Sequence, residues 1–247
     1  MRKTGMFVGA LLVSVLVAFA GWAQDVSLNP SYAQRNTSGK VRMHIEMTGA
    51  TDLLSMGIKV TFPPDKLQVE SAIKNTDVWK FEPLEPDPKA YLPEVKINNT
   101  NGVVKMIGGR LTGVSGDVLL GWIVFQCSDT NTGEANVTVE LANPSPYDNF
   151  VGEKPAPEQD PPVYDDQMNL TGATICIVAE NACEGDFDGI GAVTMPYSLV
   201  FRAAFPSTFG DPNYNPACDF NADGAVTMPD SLVFRADFPR TDCPECP

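Results

Sequence analysis

Residues 40–62 read KVRMHIEMTGATDLLSMGIKVTF. Polar and apolar side chains alternate over Lys40–Met47 and again over Met56–Phe62, which is the period of a half-buried strand. Pro63-Pro64 stops the second run. Outward from this stretch the pattern stays β: 67–72, 95–98, 103–107, 118–126, 135–141 and 173–178 all read as strands. Short turn signals punctuate them at Asn101-Gly102, Gly108-Gly109, Ser115-Gly116 and Thr132-Gly133. No amphipathic helix interrupts the series. About eight short strands at this spacing predict a mainly β unit, a jelly-roll β-sandwich over residues 24–178. Residues 143–167 hold six prolines and six acidic residues, too Pro-rich for a central strand. They are expected to form a long loop that returns to the same sandwich.

Residues 1–23 read as a secretory signal peptide. Arg2 and Lys3 precede an apolar run over Met6–Ala20, and small residues follow at Gly21 and Ala23. The run is too short to span a bilayer comfortably, so the mature chain is expected to begin at Gln24 and to be secreted and extracellular. With 17 basic and 31 acidic residues the formal charge is −14. Phosphate backbones need clustered Lys and Arg, so a nucleic-acid partner is disfavoured. Most of the acid is expected to be a solvated surface.

Six cysteines occur, at 127, 176, 183, 218, 243 and 246. In an exported chain an even count favours disulfides of undetermined connectivity over a redox pair at Cys243 and Cys246, or a zinc site built from these with Cys183 and Cys218.

The C-terminal part, residues 179–247, carries a duplication. Asp186–Pro206 and Asp219–Pro239 are identical at 16 of 21 positions with a period of 33 residues. In the second copy oxygen-bearing side chains fall at loop positions 1, 3, 5, 9 and 12, with Gly224 at position 6. That is the spacing with which an EF-hand loop wraps oxygens around Ca²⁺. Asp219, Asn221 and Asp223 supply positions 1, 3 and 5, and Ala225 offers its carbonyl. Thr227 offers a direct or water-mediated oxygen, and Asp230 reaches back from the following helix. The first copy keeps Asp186 and Asp188 but has Ile190 at position 5 and Tyr197 at position 12. One firm calcium site and one weak or vacant site are therefore expected. Each loop should run into a helix, capped at Thr194 or Thr227 and ended by Pro206 or Pro239. Leu199, Phe201 and Phe205, with Leu232, Phe234 and Phe238, are expected to form the buried stripe.

A duplicated calcium loop followed directly by a helix resembles the type I dockerin module over 185–239. Dockerins are the plugs of extracellular polysaccharide-degrading assemblies and bind β-sandwich sockets called cohesins. The sandwich, through Met56–Val69 and Gly116–Phe125, is similar to a cohesin, and also to the carbohydrate-binding modules of jelly-roll topology. The resemblance implies partner contacts at Met195, Pro196 and Arg202 in the first copy and Met228, Pro229 and Arg235 in the second. Met-Pro stands where many cellulosomal dockerins have Ser-Thr. The internal two-fold symmetry implies docking in either of two orientations.

No catalytic constellation emerges. His44 is the single histidine, which excludes an HExxH site, and no Gly-rich phosphate loop is present. The expectation is a non-catalytic adaptor that takes part in calcium-dependent cohesin–dockerin assembly. The alternatives are a carbohydrate-binding sandwich with a dockerin tether, for which Trp79, Phe81 and Tyr91 would be the aromatic cluster, and a plug docked on its own sandwich.

Overall fold

The computed structural model describes residues 24–35, 38–79, 95–143, 148–157, 159–178 and 183–246. The expected signal peptide, Phe81, Tyr91 and residues 179–182 of the junction lie outside the described residues. Nine strands form one sheet: β1 (Gln24–Asn29), β2 (Tyr32–Gln34), β3 (Lys40–Thr61), β4 (Leu67–Lys74), β5 (Val95–Asn98), β6 (Val103–Cys127), β7 (Gly133–Leu141), β8 (Met168–Thr171) and β9 (Ala173–Ile177).

Two long strands organise it. β3 and β6 pair antiparallel from Lys40↔Gln126 to Thr61↔Val103, with register shifts between Ile45 and Ser55. At those bulges both strands bend and pass from one layer into the other. The first half of β3 lies between β1 and the second half of β6, with β8 and β4 beyond them. The second half of β3 lies between the first half of β6 and β7, with β5 on one side and β9 then β2 on the other. The sheet thus curls round a single apolar core. Met43, Ile45, Met47, Met56, Ile58, Val60, Met106 and Leu120 are all fully buried there.

The alternating runs at 40–47 and 56–62 are therefore parts of one strand, as are 103–107 and 118–126. Gly49 (φ 72°) and Asp52 (φ 43°) give the segment between the first pair its turn-like composition; the bulges keep it in the ladder. Residues 143–167 do return to the sandwich. Leu54 and Ser55 donate backbone bonds to the Val151 carbonyl, and the Asp165 carboxylate accepts from the backbone amides of Asn149 and Phe150. Trp79 is 1% exposed and belongs to the core. A Cβ on Gly108 would stand 2.8 Å from its ring, so only glycine lets the indole lie against β6. This overturns Trp79 as part of an exposed glycan platform.

The C-terminal part contains two helices, α1 (Met195–Ala204) and α2 (Met228–Asp237), and a short pair of strands, β10 (Ser207–Thr208) and β11 (Ala225–Val226). It is not purely α. The duplication folds as a pseudo-two-fold pair. Val226 bridges Ser207, and the equivalent Val193 bridges Arg240. The equivalent rings of Phe201 and Phe234 stack on each other, 4.8 Å apart and 11° from parallel.

Cys183 pairs with Cys243, closing this module, and Cys176 of β9 pairs with Cys246, fixing its tail to the sandwich. By loop-closure entropy each cross-link stabilises the fold by about 4 kcal/mol. These four cysteines are thus paired as disulfides, and Cys243 and Cys246 are each bonded elsewhere rather than to one another. Cys127 and Cys218 are free and buried.

Candidate functional site

The second loop is built by its own backbone. Asp219 Oδ1 accepts from the Asp223 amide (3.1 Å), and Oδ2 accepts from the Gly224 amide (2.9 Å) and the Tyr214 hydroxyl (2.6 Å). Gly224 sits at φ 92°, a conformation that L side chains rarely adopt. Asp230 is the third residue of α2, and its Oδ2 accepts from the amide of the N-cap residue Thr227 (2.8 Å). Its Oδ1 accepts from the Phe220 amide (2.9 Å), which ties the helix start to the loop start. Asn221 Nδ2 donates to Asp223 Oδ2 (2.8 Å), and Asp223 Oδ1 accepts from the Ala225 amide.

Asp219 and Asp230 are 3% and 0% exposed. Burial raises both carboxyls above their ordinary range, and the charge of Asp223 adds to that. Buried carboxylates with a third as neighbour call for a counter-cation. All-oxygen donors of this kind suit a hard divalent ion such as Ca²⁺. Asp219, Asn221, Asp223 and Asp230, with the Ala225 carbonyl and Thr227, are the groups able to hold one. Among the described residues no three His, Cys, Asp or Glu side chains already converge on one point; backbone amides occupy the carboxylates instead.

The first loop satisfies itself differently. Asp186 accepts from the amides of Gly189 and Gly191 (both 3.1 Å), as Asp219 does from its loop. At position 12, however, the Tyr197 hydroxyl donates to Asp188 Oδ1 at 2.6 Å. Burial first, and the Asp188 carboxylate second, push that phenol above its ordinary range, so it stays a neutral donor. Ile190, at position 5, is 70% exposed. A hydrogen bond thus joins the two positions that a cation would otherwise bridge.

On the far side of the helices the residues proposed for partner contact are exposed. Met195 and Met228 are 64% and 59% exposed, and Leu199 and Leu232 are both 60% exposed. Pro196, Pro229, Arg202 and Arg235 are exposed beside them. The expectation of Leu199 and Leu232 in a buried stripe is corrected. Tyr197 and Phe201, or Asp230 and Phe234, are four apart and face inward; a leucine two residues from each must face out.

The module also rests on the sandwich, through residues that the sequence did not mark. Arg42 of β3 donates from Nη2 to the Ala222 carbonyl (2.9 Å), and its Nε lies 3.3 Å from Asp219 Oδ2. His44, 4% exposed, stacks on Tyr214 and meets Phe209 edge-on. Trp122 contacts Phe209 at 4.4 Å between ring centroids. Tyr32 fills the place that a Cβ on Gly189 would need. The one available signal was a row of Arg, His and Trp at outward positions of β3 and β6, where water-facing residues are the default. The outer face of the other layer stays uncovered by these contacts. Lys96, Lys105, Lys59 and Glu140 stand in cross-strand register there, with Lys59 ion-paired to Glu140.

No family model matches the chain, and no curated protein matches it. Among solved structures the chain is similar to the seventh ScaB type I cohesin from Pseudobacteroides cellulosolvens, at 14% identity and TM-score 0.43, covering 64% of this chain and 93% of that one. It is similar to the third cohesin of ScaC from Acetivibrio cellulolyticus, solved in complex with the ScaB dockerin, at 18% identity and TM-score 0.45, covering 63% and 99%. A non-cellulosomal cohesin from the archaeon Archaeoglobus fulgidus matches at 13% identity and TM-score 0.38, covering 64% and 92%. These structural neighbours are cohesin modules.

Proposed function

We propose that this chain is a secreted, non-catalytic adaptor whose C-terminal module is a calcium-held plug of the dockerin type. The observation that carries the reading is the pair of symmetry-related apolar faces, Met195 with Leu199 and Met228 with Leu232. Four large apolar side chains near 60% exposure on so small a module are costly in water unless a partner covers them. Bound at the second loop, Ca²⁺ neutralises the buried carboxylates there. The chain's own residues do the rest. Backbone amides aim Asp219, Thr227 and Asp230 fix the start of α2, and the Phe201–Phe234 stack sets the two faces at their two-fold relation. The partner that fits is a β-sandwich of the cohesin type, and the near-equal exposure of the two faces supports docking in two orientations. The sandwich of this chain is then the second half of the adaptor, with the Lys96–Lys105–Lys59 face as its uncovered surface. Two disulfides fit an oxidising, extracellular setting. No helix among the described residues is long and apolar enough to cross a membrane.

The test is a calorimetric titration of the intact chain with an isolated cohesin-type sandwich, first in calcium and then in chelator. Saturable binding in calcium only, lost in the double variant Met195→Asp/Met228→Asp, is expected. Heat that is indifferent to chelator and to both substitutions would contradict the reading.

A further inference from the structure

Among the described residues the second loop is touched by a cation of the other module, Arg42. Arg42 lies on β3, in the strand pair that faces the C-terminal module. Its side chain is 10% exposed and that of Asp219 is 0% exposed, with Nε 3.3 Å from Asp219 Oδ2. Its Nη2 donates to the carbonyl of Ala222, the fourth residue of the loop (2.9 Å). A Cβ on Gly224 would sit 3.5 Å from the same nitrogen. The guanidinium is therefore packed against positions 1, 4 and 6 of the loop. Next to it the Ser38 hydroxyl donates to the Phe220 carbonyl (3.4 Å), and His44 stacks on Tyr214, the residue whose hydroxyl also holds Asp219.

We propose that Arg42 is the sandwich's contribution to the second calcium loop: it serves as the loop's counter-cation when the metal is absent, and it opposes the metal when calcium binds. This rests on the calcium reading above. The sign follows from charge. Asp219 is already oriented by the Asp223 and Gly224 amides and by Tyr214, so Arg42 adds little to its positioning. What Arg42 adds is a buried positive charge against the first ligand of a divalent cation, where screening by water is weak. Calcium uptake and the seating of the module on β3 and β6 are then linked, and linkage is reciprocal. Whatever Arg42 takes from calcium affinity, calcium takes from the contact between Arg42 and the loop. The Cys176–Cys246 bond keeps the module tethered while the contact loosens, so the linkage acts as a local release and not a dissociation.

The experiment is calcium calorimetry on the intact disulfide-bonded chain: wild type, Arg42→Gln, and Lys40→Gln as a control that removes the same charge from the same strand, two residues away. Arg42→Gln should bind calcium about tenfold more tightly, the size expected for one buried charge acting across a single side chain. Lys40→Gln should stay within about twofold, its charge being more exposed and screened. Wild-type binding with Arg42→Gln equal or weaker overturns the inference and leaves the calcium reading standing. No calcium uptake by any of the three overturns both. Hydrogen exchange on the wild type needs no variant. Calcium should slow the amides of 219–227 and speed those of 209–218, the segment whose Phe209 and Tyr214 rest on His44 and Trp122; slowing of both segments overturns the linkage.

Discussion

Tyr197 and Asp230 occupy the same place in the two copies and close their loops by different chemistry. Tyr197 donates a hydrogen bond to Asp188, whereas Asp230 brings a buried carboxylate to the second loop. Exchanging that chemistry should move the metal. The double variant Ile190→Asp/Tyr197→Asp should take up a second calcium, read as a doubled stoichiometry by calorimetry. Asp186→Ala should cost much less calcium stabilisation than Asp223→Ala. That Tyr197 and Asp230 take equivalent places was legible in the sequence, because the two copies align at a fixed period of 33 residues. Arg42 was not, because an outward Arg on a strand gives no sign of whether water or another module faces it.

Two other residue-scale outcomes follow from burial and charge. Burial pushes the thiols of Cys127 and Cys218 up to about 12, so neither presents a thiolate near neutral pH. Native protein should resist iodoacetamide, and denatured, unreduced protein should take up two labels per chain. At Glu46, the His44 imidazole 3.6 Å away holds the carboxyl below its ordinary range, with the Asn29 amide assisting. A depressed folded-state value contributes stability above the unfolded value, near about 4.3, and loses it as pH falls through the folded one. The drop in melting temperature between about pH 5 and pH 3 should therefore be smaller in Glu46→Gln than in wild type.

At the scale of elements, β3 and β6 show where periodicity reports well and where it stops. The alternating halves were visible because the inward set, Met43, Ile45, Met47 and then Met56, Ile58, Val60, is fully buried. Their continuity was hidden by bulges, which look like turns in composition. β2 and β8 span three and four residues, too short for a period to register. The two helices were legible from their prolines and caps, but not which apolar residues face inward. Three buried aromatics, Phe220, Phe201 and Phe234, stack in a row with Phe201 in the middle. Phe234→Ala should cost about 3–5 kcal/mol, measured by denaturant unfolding of the oxidised chain. Leu232→Ala, on the exposed face, should cost within about 0.5 kcal/mol.

At the scale of the whole molecule, the C-terminal module is seated on the sandwich by its loops and presents its helices outward. Tyr32, Arg42, His44 and Trp122 hold the loop side; Met195, Leu199, Met228 and Leu232 face away, exposed. The seating on the sandwich and the exposed helix faces use opposite sides of the module, so docking on its own sandwich leaves those faces open to the partner proposed above. Calcium at the second loop, as proposed above, would link the two sides, and the functional account rests on it. Thermal unfolding of the intact, oxidised chain in calcium and in chelator, for wild type and for Asp230→Ala, addresses it directly. The account predicts that chelator lowers the wild-type midpoint by several degrees, as ligand removal must when the ligand binds only the folded state, and leaves Asp230→Ala unmoved. A wild-type midpoint indifferent to chelator, or an equal shift in both proteins, would contradict it.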